Sequence, residues 1–241
     1  MTPQLLKVLD DIKHHCIFKN NDFRLAGGTA LAYRINHRLS EDLDFFINGK
    51  LPKVDIDNFI DDCIDLYGKE NITPIPASQN AMYEFERDDE DIEDYQQDWN
   101  INGVKITFFD CSSNIGNDDI FREDDFVLYD KVKIMSVDSI FKMKSLMFYK
   151  RVKVRDYFDL DTLYNDEKLN YTPKMTLDLI QKYELLYSFD MSLFFIALKE
   201  KIKGYDSKFD SPLHTIIENP PSFEVLANTI LEKLKQSNIS K

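Results

Sequence analysis

Two carboxylates separated by one residue, Asp42 and Asp44, stand at the start of the segment DLDFFI. The aromatic and β-branched residues that end this segment predict a β-strand. Side chains two residues apart on a strand point to the same face of the sheet. The pair could therefore hold one or two divalent ions, because Mg²⁺ prefers carboxylate oxygens together with substrate phosphates. Two such ions can activate an attacking oxygen and stabilise a leaving pyrophosphate.

The same Asp-x-Asp spacing recurs at 55/57, 89/91 and 159/161, in a chain with 43 acidic residues. The 55/57 and 159/161 pairs fall in helical patterns, where side chains two residues apart diverge by about 200°. The 89/91 pair lies in the acidic tract 88–98, which is typical of a solvated loop. A magnesium store made from this tract is the alternative. Secondary structure therefore favours the pair at 42/44.

A Gly-Gly-Thr step, Gly27 to Thr29, lies between a predicted strand at 23–26 and a predicted helix. Glycines let the backbone approach a ligand closely. A helix N-terminus offers N–H groups and a positive dipole end to phosphates. Thr29 could cap the helix or donate its hydroxyl to a phosphate. The structural alternative is a tight turn with a threonine cap.

A cluster of basic residues could bind phosphates despite the net charge of −13, which disfavours nucleic acid as a partner. It comprises Lys142, Lys144, Lys150, Arg151, Lys153 and Arg155. A solvated helix face is the alternative interpretation of such a cluster. Arg38 and Ser40, just before the aspartate pair, could also reach a nucleotide.

Asp110 ends the predicted strand VKITFFD (104–110), in which Thr107 takes the middle position. Asp110 would complete a metal site with three carboxylates if the strand ended beside Asp44. It would equally suit a turn before the sequence CSSN. Both interpretations stay open at this stage.

The order of the predicted elements indicates two domains. Strands and helices alternate to about residue 134, with strands expected at 42–47, 72–76, 81–87, 104–109 and 126–134 and helices at 4–18 and 53–67. Helices follow at 137–150, 154–165, 174–187, 190–203 and 222–236, separated by Pro and Gly. We therefore expect a mixed α/β domain over 1–134 and an α-helical bundle over 135–241.

The composition places the chain among globular proteins of the cytoplasm. Apolar residues make up 43% of the 241 residues, and the sequence has no apolar run long enough to cross a membrane. Three widely separated cysteines suit free thiols in a reducing compartment better than disulfides. The N-terminus resembles an amphipathic helix rather than a signal peptide.

Two segments resemble the AbiEii-type nucleotidyltransferases, a toxin-associated branch of the polymerase-β-like superfamily. The first is AGGTALAYRI…HRLSEDLDFF within residues 26–46, and the second is VDSIFKMKSLMFYKRVKVRDYFDL at 137–160. The resemblance implies an α+β fold, namely a polymerase-β-like domain with a mixed sheet and flanking helices, followed by the helical bundle. It also implies Mg²⁺ as cofactor and an NTP as substrate.

Several residues acquire roles from this resemblance. Asp42 and Asp44 would bind the metal, and Gly28 and Thr29 would hold the nucleotide phosphates. Lys144 and Asp156 match the functional Lys and Asp of the later segment, whereas Asp159, one turn further on, could equally cap a helix. One departure from the pattern is Thr107, which occupies the strand that commonly carries a third carboxylate.

The activity implied by the resemblance is transfer of a nucleoside monophosphate from an NTP to an acceptor hydroxyl. An RNA end such as that of tRNA, or a protein, would be the acceptor, and a cognate antitoxin would be the partner. Two alternatives remain. An acidic cleft would suit a small cationic antibiotic of the aminoglycoside type as acceptor, and a chain lacking the third carboxylate could be a binding module without turnover.

Overall fold

The computed structural model describes residues 1–112, 114, 116–184 and 190–239. The chain divides into two compact units, residues 1–140 and 141–241. Among the described residues, no helix combines the length and the apolar character needed to cross a bilayer.

In the described part of the first unit, the strands form a mixed sheet of seven. In chain order these are β1 (Arg24–Leu25), β2 (Asp42–Ile47), β3 (Ile72–Ile75), β4 (Gln96–Ile101), β5 (Val104–Asp110), β6 (Val127–Tyr129) and β7 (Val132–Ile134). Their order across the sheet is β3-β4-β5-β2-β1-β7-β6. The pairs β2/β5 and β1/β7 are parallel, and the other neighbours are antiparallel. The fold is therefore mixed α/β, as the sequence predicted.

The helices of this unit begin with α1 (Pro3–Ile12), α2 (Ile17–Asn20), α3 (Gly27–Ile35) and α4 (Lys53–Tyr67), and continue with α5 (Gln79–Arg87) and α6 (Asn117–Arg122). Helix α7 (Val137–Met147) crosses the boundary between the units. The second unit continues with α8 (Val154–Asn165), α9 (Pro173–Glu184), α10 (Met191–Lys203) and α11 (Phe223–Ile239). The predicted helix at 174–187 extends beyond the described residues, which stop at 184.

Alternating side chains give the central strands β2 and β5 one apolar and one polar face. Leu43 and Phe45 are buried on one face of β2, whereas Asp42 and Asp44 are only partly buried on the other. On the apolar face, the ring centroids of Phe45 and Phe108 lie 5.9 Å apart. Phe18 and Phe59 pack against these rings from α2 and α4. This burial fixes the register, because a shift by one residue would place the aspartates in the core.

The sequence prediction was wrong for residues 81–87, which form helix α5 rather than a strand. The antiparallel partner of β5 is β4, whose last residue, Ile101, pairs with Val104. Asn102 and Gly103 join the two strands with φ of 50° and 79°. An Asn-Gly turn with positive φ at both residues is a strong hairpin pattern. The predicted loop over 88–98 therefore ends before β4, and Asp98 lies within a strand.

The predicted helix at 4–18 is divided into α1 and α2. Helix α1 ends at Ile12, and α2 is a separate short helix that begins at Ile17. The Nδ1 atom of His15 accepts a hydrogen bond from the backbone N–H of Ile17, at 3.1 Å. The apolar pattern continues through both helices, which is why periodicity alone did not show the break.

Candidate active site

Asp42 and Asp44 lie on the polar face of β2, as the Asp-x-Asp spacing predicted. Asp44 is placed beside the N-terminus of α3, because its backbone oxygen accepts a hydrogen bond from the N–H of Ala26 at 2.8 Å. Its carboxylate also reaches the first turn of α3. A Cβ atom built on Gly27 would lie 2.6 Å from Asp44 Oδ2. The positive end of the helix dipole favours a carboxylate at this position.

The Gly27–Gly28 turn is built so that only glycine fits without strain. Gly27 has a φ of +64°, in the left-handed region that disfavours residues with a side chain. A Cβ atom on Gly28 would collide with the guanidinium of Arg38. The first turn of α3 is therefore flanked by an anionic group, Asp44, and a cationic group, Arg38. Its backbone N–H groups have no acceptors within the helix, as at every helix N-terminus.

The hydroxyl of Thr29 contacts groups of the protein itself. It is buried, its hydroxyl donates to the backbone oxygen of Asp42, and its Oγ1 lies 2.6 Å from Ser40 Oγ. The N-cap of α3 is Ala26, without a side-chain cap. Thr29 and Ser40 therefore tie α3 to the chain that enters β2. Arg38 is also buried, and its Nη1 donates to the backbone oxygen of Leu39 at 2.9 Å.

The structure does not bring Asp110 together with the aspartate pair. Asp110 pairs with Ile47 of β2. It lies three positions beyond Thr107, and because side chains alternate along a strand, Asp110 points to the apolar face while Thr107 points to the polar face. Its Oδ1 accepts hydrogen bonds from the backbone N–H groups of Gly49 and Ser112, at 2.9 and 2.8 Å. Asp110 is thus a turn residue, so its prediction as a third metal ligand was wrong. The residue opposite Asp44 on β5 is Thr107.

The donors at Asp42 and Asp44 fit Mg²⁺. Both are carboxylates on one face of a strand, beside a glycine turn that a Cβ atom would fill. No group of three His, Cys, Asp or Glu side chains in the described part of the chain is arranged to hold a metal ion. Two protein carboxylates completed by water and substrate phosphates are a usual way for proteins to bind Mg²⁺.

Lys144 and Asp156, in the second unit, form a buried ion cluster with Asp159. Lys144 Nζ lies 2.7 Å from Asp156 Oδ1 and 2.8 Å from Asp159 Oδ2. Asp159 is fully buried inside α8, so it does not cap the helix. Lys144 is buried as well and does not extend its ammonium to solvent. The Lys144 ammonium stabilises both carboxylates in the core, because a buried unpaired carboxylate is costly.

The surroundings of Asp156 disfavour the role of a general base. Burial alone would raise its pKa, but the charges of Lys144 and Arg151 outweigh that effect and hold the pKa below its usual value. A general base works best with a pKa near the working pH, so a lowered pKa disfavours that role. Asp156 Oδ2 forms an ion pair with the exposed Arg151, whose Nε is 3.4 Å away. Arg155 lies partly buried in the first turn of α8.

Two charged residues on the polar face of the sheet were missed from the sequence. Lys105 of β5 pairs with Asp42 in the strand register, and Asp98 of β4 pairs with Thr107. Lys105 Nζ lies 2.9 Å from Asp98 Oδ2. Asp98 was assigned to the acidic loop because the strand beside it was placed at 81–87. The Asn102-Gly103 turn, with a strand on each side, could have identified it.

A protein family and two solved structures are similar to this chain. The model of the family described as "Nucleotidyl transferase AbiEii toxin, Type IV TA system" matches residues 14–229. A Helicobacter pylori structure that its description assigns provisionally to the nucleotidyltransferases is similar, with 16% identity over 98% of both chains and a TM-score of 0.48. The H. pylori protein JHP933 is similar with 15% identity, over 100% of this chain and 97% of that one, and a TM-score of 0.43. No curated protein matches the sequence.

Proposed function

Because the chain belongs to the AbiEii family of nucleotidyltransferase toxins from type IV toxin–antitoxin systems, we propose that it transfers a nucleoside monophosphate from an NTP to an acceptor hydroxyl. In this reaction the acceptor oxygen forms a bond to the α-phosphorus. The bond from the α-phosphorus to its bridging oxygen breaks, and pyrophosphate leaves. The proton of the acceptor hydroxyl passes to solvent or to a base on the substrate side.

One observation carries this proposal. Asp42 and Asp44 share one face of β2, and the Asp44 carboxylate lies against Gly27 at the N-terminus of α3. A triphosphate that approaches the glycine turn would meet the backbone N–H groups of α3 and the two carboxylates at the same place. Mg²⁺, held by Asp42 and Asp44, would neutralise phosphate charge and orient the triphosphate when bound.

The protein's own groups would supply positioning and charge. Gly27 and Gly28 admit the phosphates closely, and the Arg38 guanidinium beside Gly28 supplies a cation. Thr29 and Ser40 hold α3 and β2 in register, so they act through other residues and not on the nucleotide. Phosphoryl transfer depends mainly on such positioning and electrostatic stabilisation.

In the second unit we assign a phosphate-binding role to Arg151, with Arg155 as a further candidate. Arg151 has an exposed guanidinium, and its ion pair with the buried Asp156 restricts its orientation. Lys144 keeps Asp156 charged and in place. We further propose that the helices of this unit form a separate bundle domain that presents the acceptor, and that a cognate antitoxin in the cytoplasm controls the enzyme.

An RNA end or a protein hydroxyl is the proposed acceptor. The net charge of −13 disfavours broad contact with an RNA backbone, since such affinity comes largely from Lys and Arg. A short RNA end held by a few cations, or a protein side chain, makes a smaller demand on the charge of the chain.

The test is transfer of label from each α-³²P NTP, with Mg²⁺, to a mixture of total RNA and lysate proteins. The double variant Asp42→Ala/Asp44→Ala runs beside Asp55→Ala/Asp57→Ala, a control with the same spacing on helix α4. We expect wild type and control to label one acceptor class with one preferred base, and the 42/44 variant to label nothing.

Equal labelling by the 42/44 variant would place the active site elsewhere. Label on an added aminoglycoside instead of RNA or protein would support the small-molecule alternative. Absence of transfer together with absence of Mg²⁺-dependent nucleotide binding would leave a binding module without turnover and would overturn the proposal.

A further inference from the structure

We propose that Lys105, positioned by Asp98, binds the triphosphate of the nucleotide on the polar face of the sheet. This inference rests on the proposed function, because it assigns a further binding residue to the same reaction. Lys105 and Asp98 belong neither to the aspartate pair at 42 and 44 nor to the glycine turn at 27 and 28.

The strand register places Lys105 beside the aspartate pair. Lys105 is the partner of Asp42 across the β2/β5 ladder, and Thr107, the next residue on the same face, is the partner of Asp44. Neighbouring strands are about 5 Å apart, and paired side chains point to the same face. The four-carbon stem of a lysine is long enough to place its ammonium over the adjacent strand. In the structure Asp98 holds the ammonium on the β4 side of β5, so a triphosphate bound at Asp42 and Asp44 would contact Lys105 where it extends across β5.

Asp98 fixes Lys105 from the opposite side. Asp98 pairs with Thr107 on the β4/β5 ladder, so the row across the three strands runs Asp44, Thr107, Asp98. Lys105 Nζ lies 2.9 Å from Asp98 Oδ2, and the side-chain amide of Gln96 donates to the same oxygen at 3.1 Å. The lysine side chain is 41% exposed and that of the aspartate 13%. The ammonium is therefore anchored and still open to a ligand.

This ion pair differs from an ordinary surface pair. Exposed pairs contribute little to stability and are often incidental. Asp98 is largely buried, and its Oδ1 is a buried acceptor without a hydrogen-bond donor among the described residues. Native proteins leave few such atoms unsatisfied, and those that remain call for an explanation. The explanation is that Asp98 positions the Lys105 ammonium beside a nucleotide site, which outweighs the cost of one unsatisfied buried oxygen.

The charge of a bound triphosphate explains why a lysine is needed at this position. The described residues contain no trio of side chains arranged for a metal ion, and Thr107 stands opposite Asp44 in place of a carboxylate. A nucleoside triphosphate carries more negative charge than one divalent ion balances. Lysine acts as a point charge that binds phosphate oxygens, and it serves this purpose in other phosphate sites. Lys105 supplies additional positive charge from β5, the strand on which Thr107 stands opposite Asp44.

The experiment compares the affinities of the full chain for nucleoside mono-, di- and triphosphates. Calorimetric titrations in Mg²⁺ use each of the four nucleosides, and the triphosphates are α,β-methylene analogues that cannot be turned over. The variants are Lys105→Gln, Lys105→Arg and Asp98→Asn. The control is Lys50→Gln, which removes another lysine held 2.9 Å from an aspartate, Asp94, in the same unit.

We expect Lys105→Gln to weaken triphosphate binding about 10- to 100-fold, the usual value of a charged hydrogen bond. Monophosphate binding should change less than about 3-fold, so the preference for the triphosphate falls. Lys105→Arg should retain most of the affinity, and Asp98→Asn should lose about 3- to 10-fold because the ammonium is no longer anchored. Lys50→Gln should match the wild type. Melting temperatures establish that each variant is folded.

The two proposals fail in different ways. If wild type binds triphosphates and Lys105→Gln keeps the same ratio of triphosphate to monophosphate affinity, Lys105 has no phosphate role and only this inference is overturned. An equal loss for all three nucleotides would show a structural role and would overturn it as well. If wild type binds no triphosphate in the presence of Mg²⁺, the proposed function and this inference fail together.

Discussion

Two sets of aspartates in this protein have the same chemistry and opposite surroundings. Asp42 and Asp44 are partly exposed on the polar face of a sheet, whereas Asp156 and Asp159 are buried around one ammonium, that of Lys144. In the first set the arrangement favours an added cation. In the second set the cation is part of the chain. The comparison teaches that exposure distinguishes a carboxylate pair that an added metal ion could reach from one that the core encloses together with a lysine.

The largest expected effect is on stability, at the buried cluster. Lys144→Met removes the shared cation and leaves Asp156 and Asp159 buried without it. We expect the free energy of unfolding to fall by about 3–5 kcal/mol, as when one partner of a buried ion pair is lost. Urea unfolding followed by circular dichroism measures it. Lys199→Met, at an exposed position of α10, is the control. A loss below about 1 kcal/mol would mean that water reaches the cluster and that the contrast between the two sets is smaller than the structure indicates.

The second effect is on activity, at the open pair. Asp44→Asn keeps the shape of the side chain and removes its charge. We expect label transfer to fall about 100- to 1,000-fold, since charge stabilisation supplies much of such catalysis. Stability should change by less than about 1 kcal/mol. A large loss of stability with residual transfer would reverse the comparison and place Asp44 among the structural carboxylates.

A third, smaller effect distinguishes the cost of backbone strain at a glycine from the loss of nucleotide binding. Gly27 and Gly103 both have positive φ, but a Cβ atom on Gly103 meets nothing within 4 Å, whereas one on Gly27 meets Asp44. Gly27→Ala and Gly103→Ala should each lose about 1–2 kcal/mol of stability from the left-handed backbone. Only Gly27→Ala should also weaken Mg²⁺-dependent nucleotide binding, because it displaces the Asp44 carboxylate. Equal binding by both variants would remove the glycine turn from the site.

The smallest effect concerns the pH dependence of the buried cluster. Lys144 and Arg151 hold the pKa of Asp156 below its usual value against the effect of burial. A lowered folded pKa contributes stability above the unfolded pKa of about 3.9, and this stability is lost as the pH falls through the folded pKa. Asp156→Asn should therefore lose less stability than wild type between about pH 6 and about pH 3.

Denaturant unfolding at each pH provides the measurement for Asp156→Asn. Asp178→Asn, which alters an exposed i,i+4 pair with Lys174, is the control and should follow the wild-type curve. If Asp156→Asn also followed the wild-type curve, the charge of Asp156 would not contribute to stability in this pH range.

The sequence by itself determined the elements with strong local patterns. Strand β2, helix α4 and helix α8 have the predicted bounds, because hydrophobic periodicity and helix-ending residues are local properties. The family match over residues 14–229 confirms the resemblance that the Gly-Gly-Thr and Asp-x-Asp segments indicated. The same spacing also predicted correctly that Asp42 and Asp44 share a face, since alternation along a strand needs no tertiary information. Their metal-binding role stays a prediction.

Only the tertiary structure decided which residues surround that pair. The sequence pattern alone could not show that residues 81–87 form a helix and not a strand. Because these residues were predicted to be the partner of β5, Asp98 was not recognised as part of a strand. The face on which Asp110 lies depends on the register of β5 against β2, where Asp110 meets Ile47 and Thr107 meets Asp44. The counter-charge of Asp159 comes from a lysine on another helix. Strand register and contacts between helices join residues distant in the chain, so the physical cause of each lies in packing rather than in local sequence.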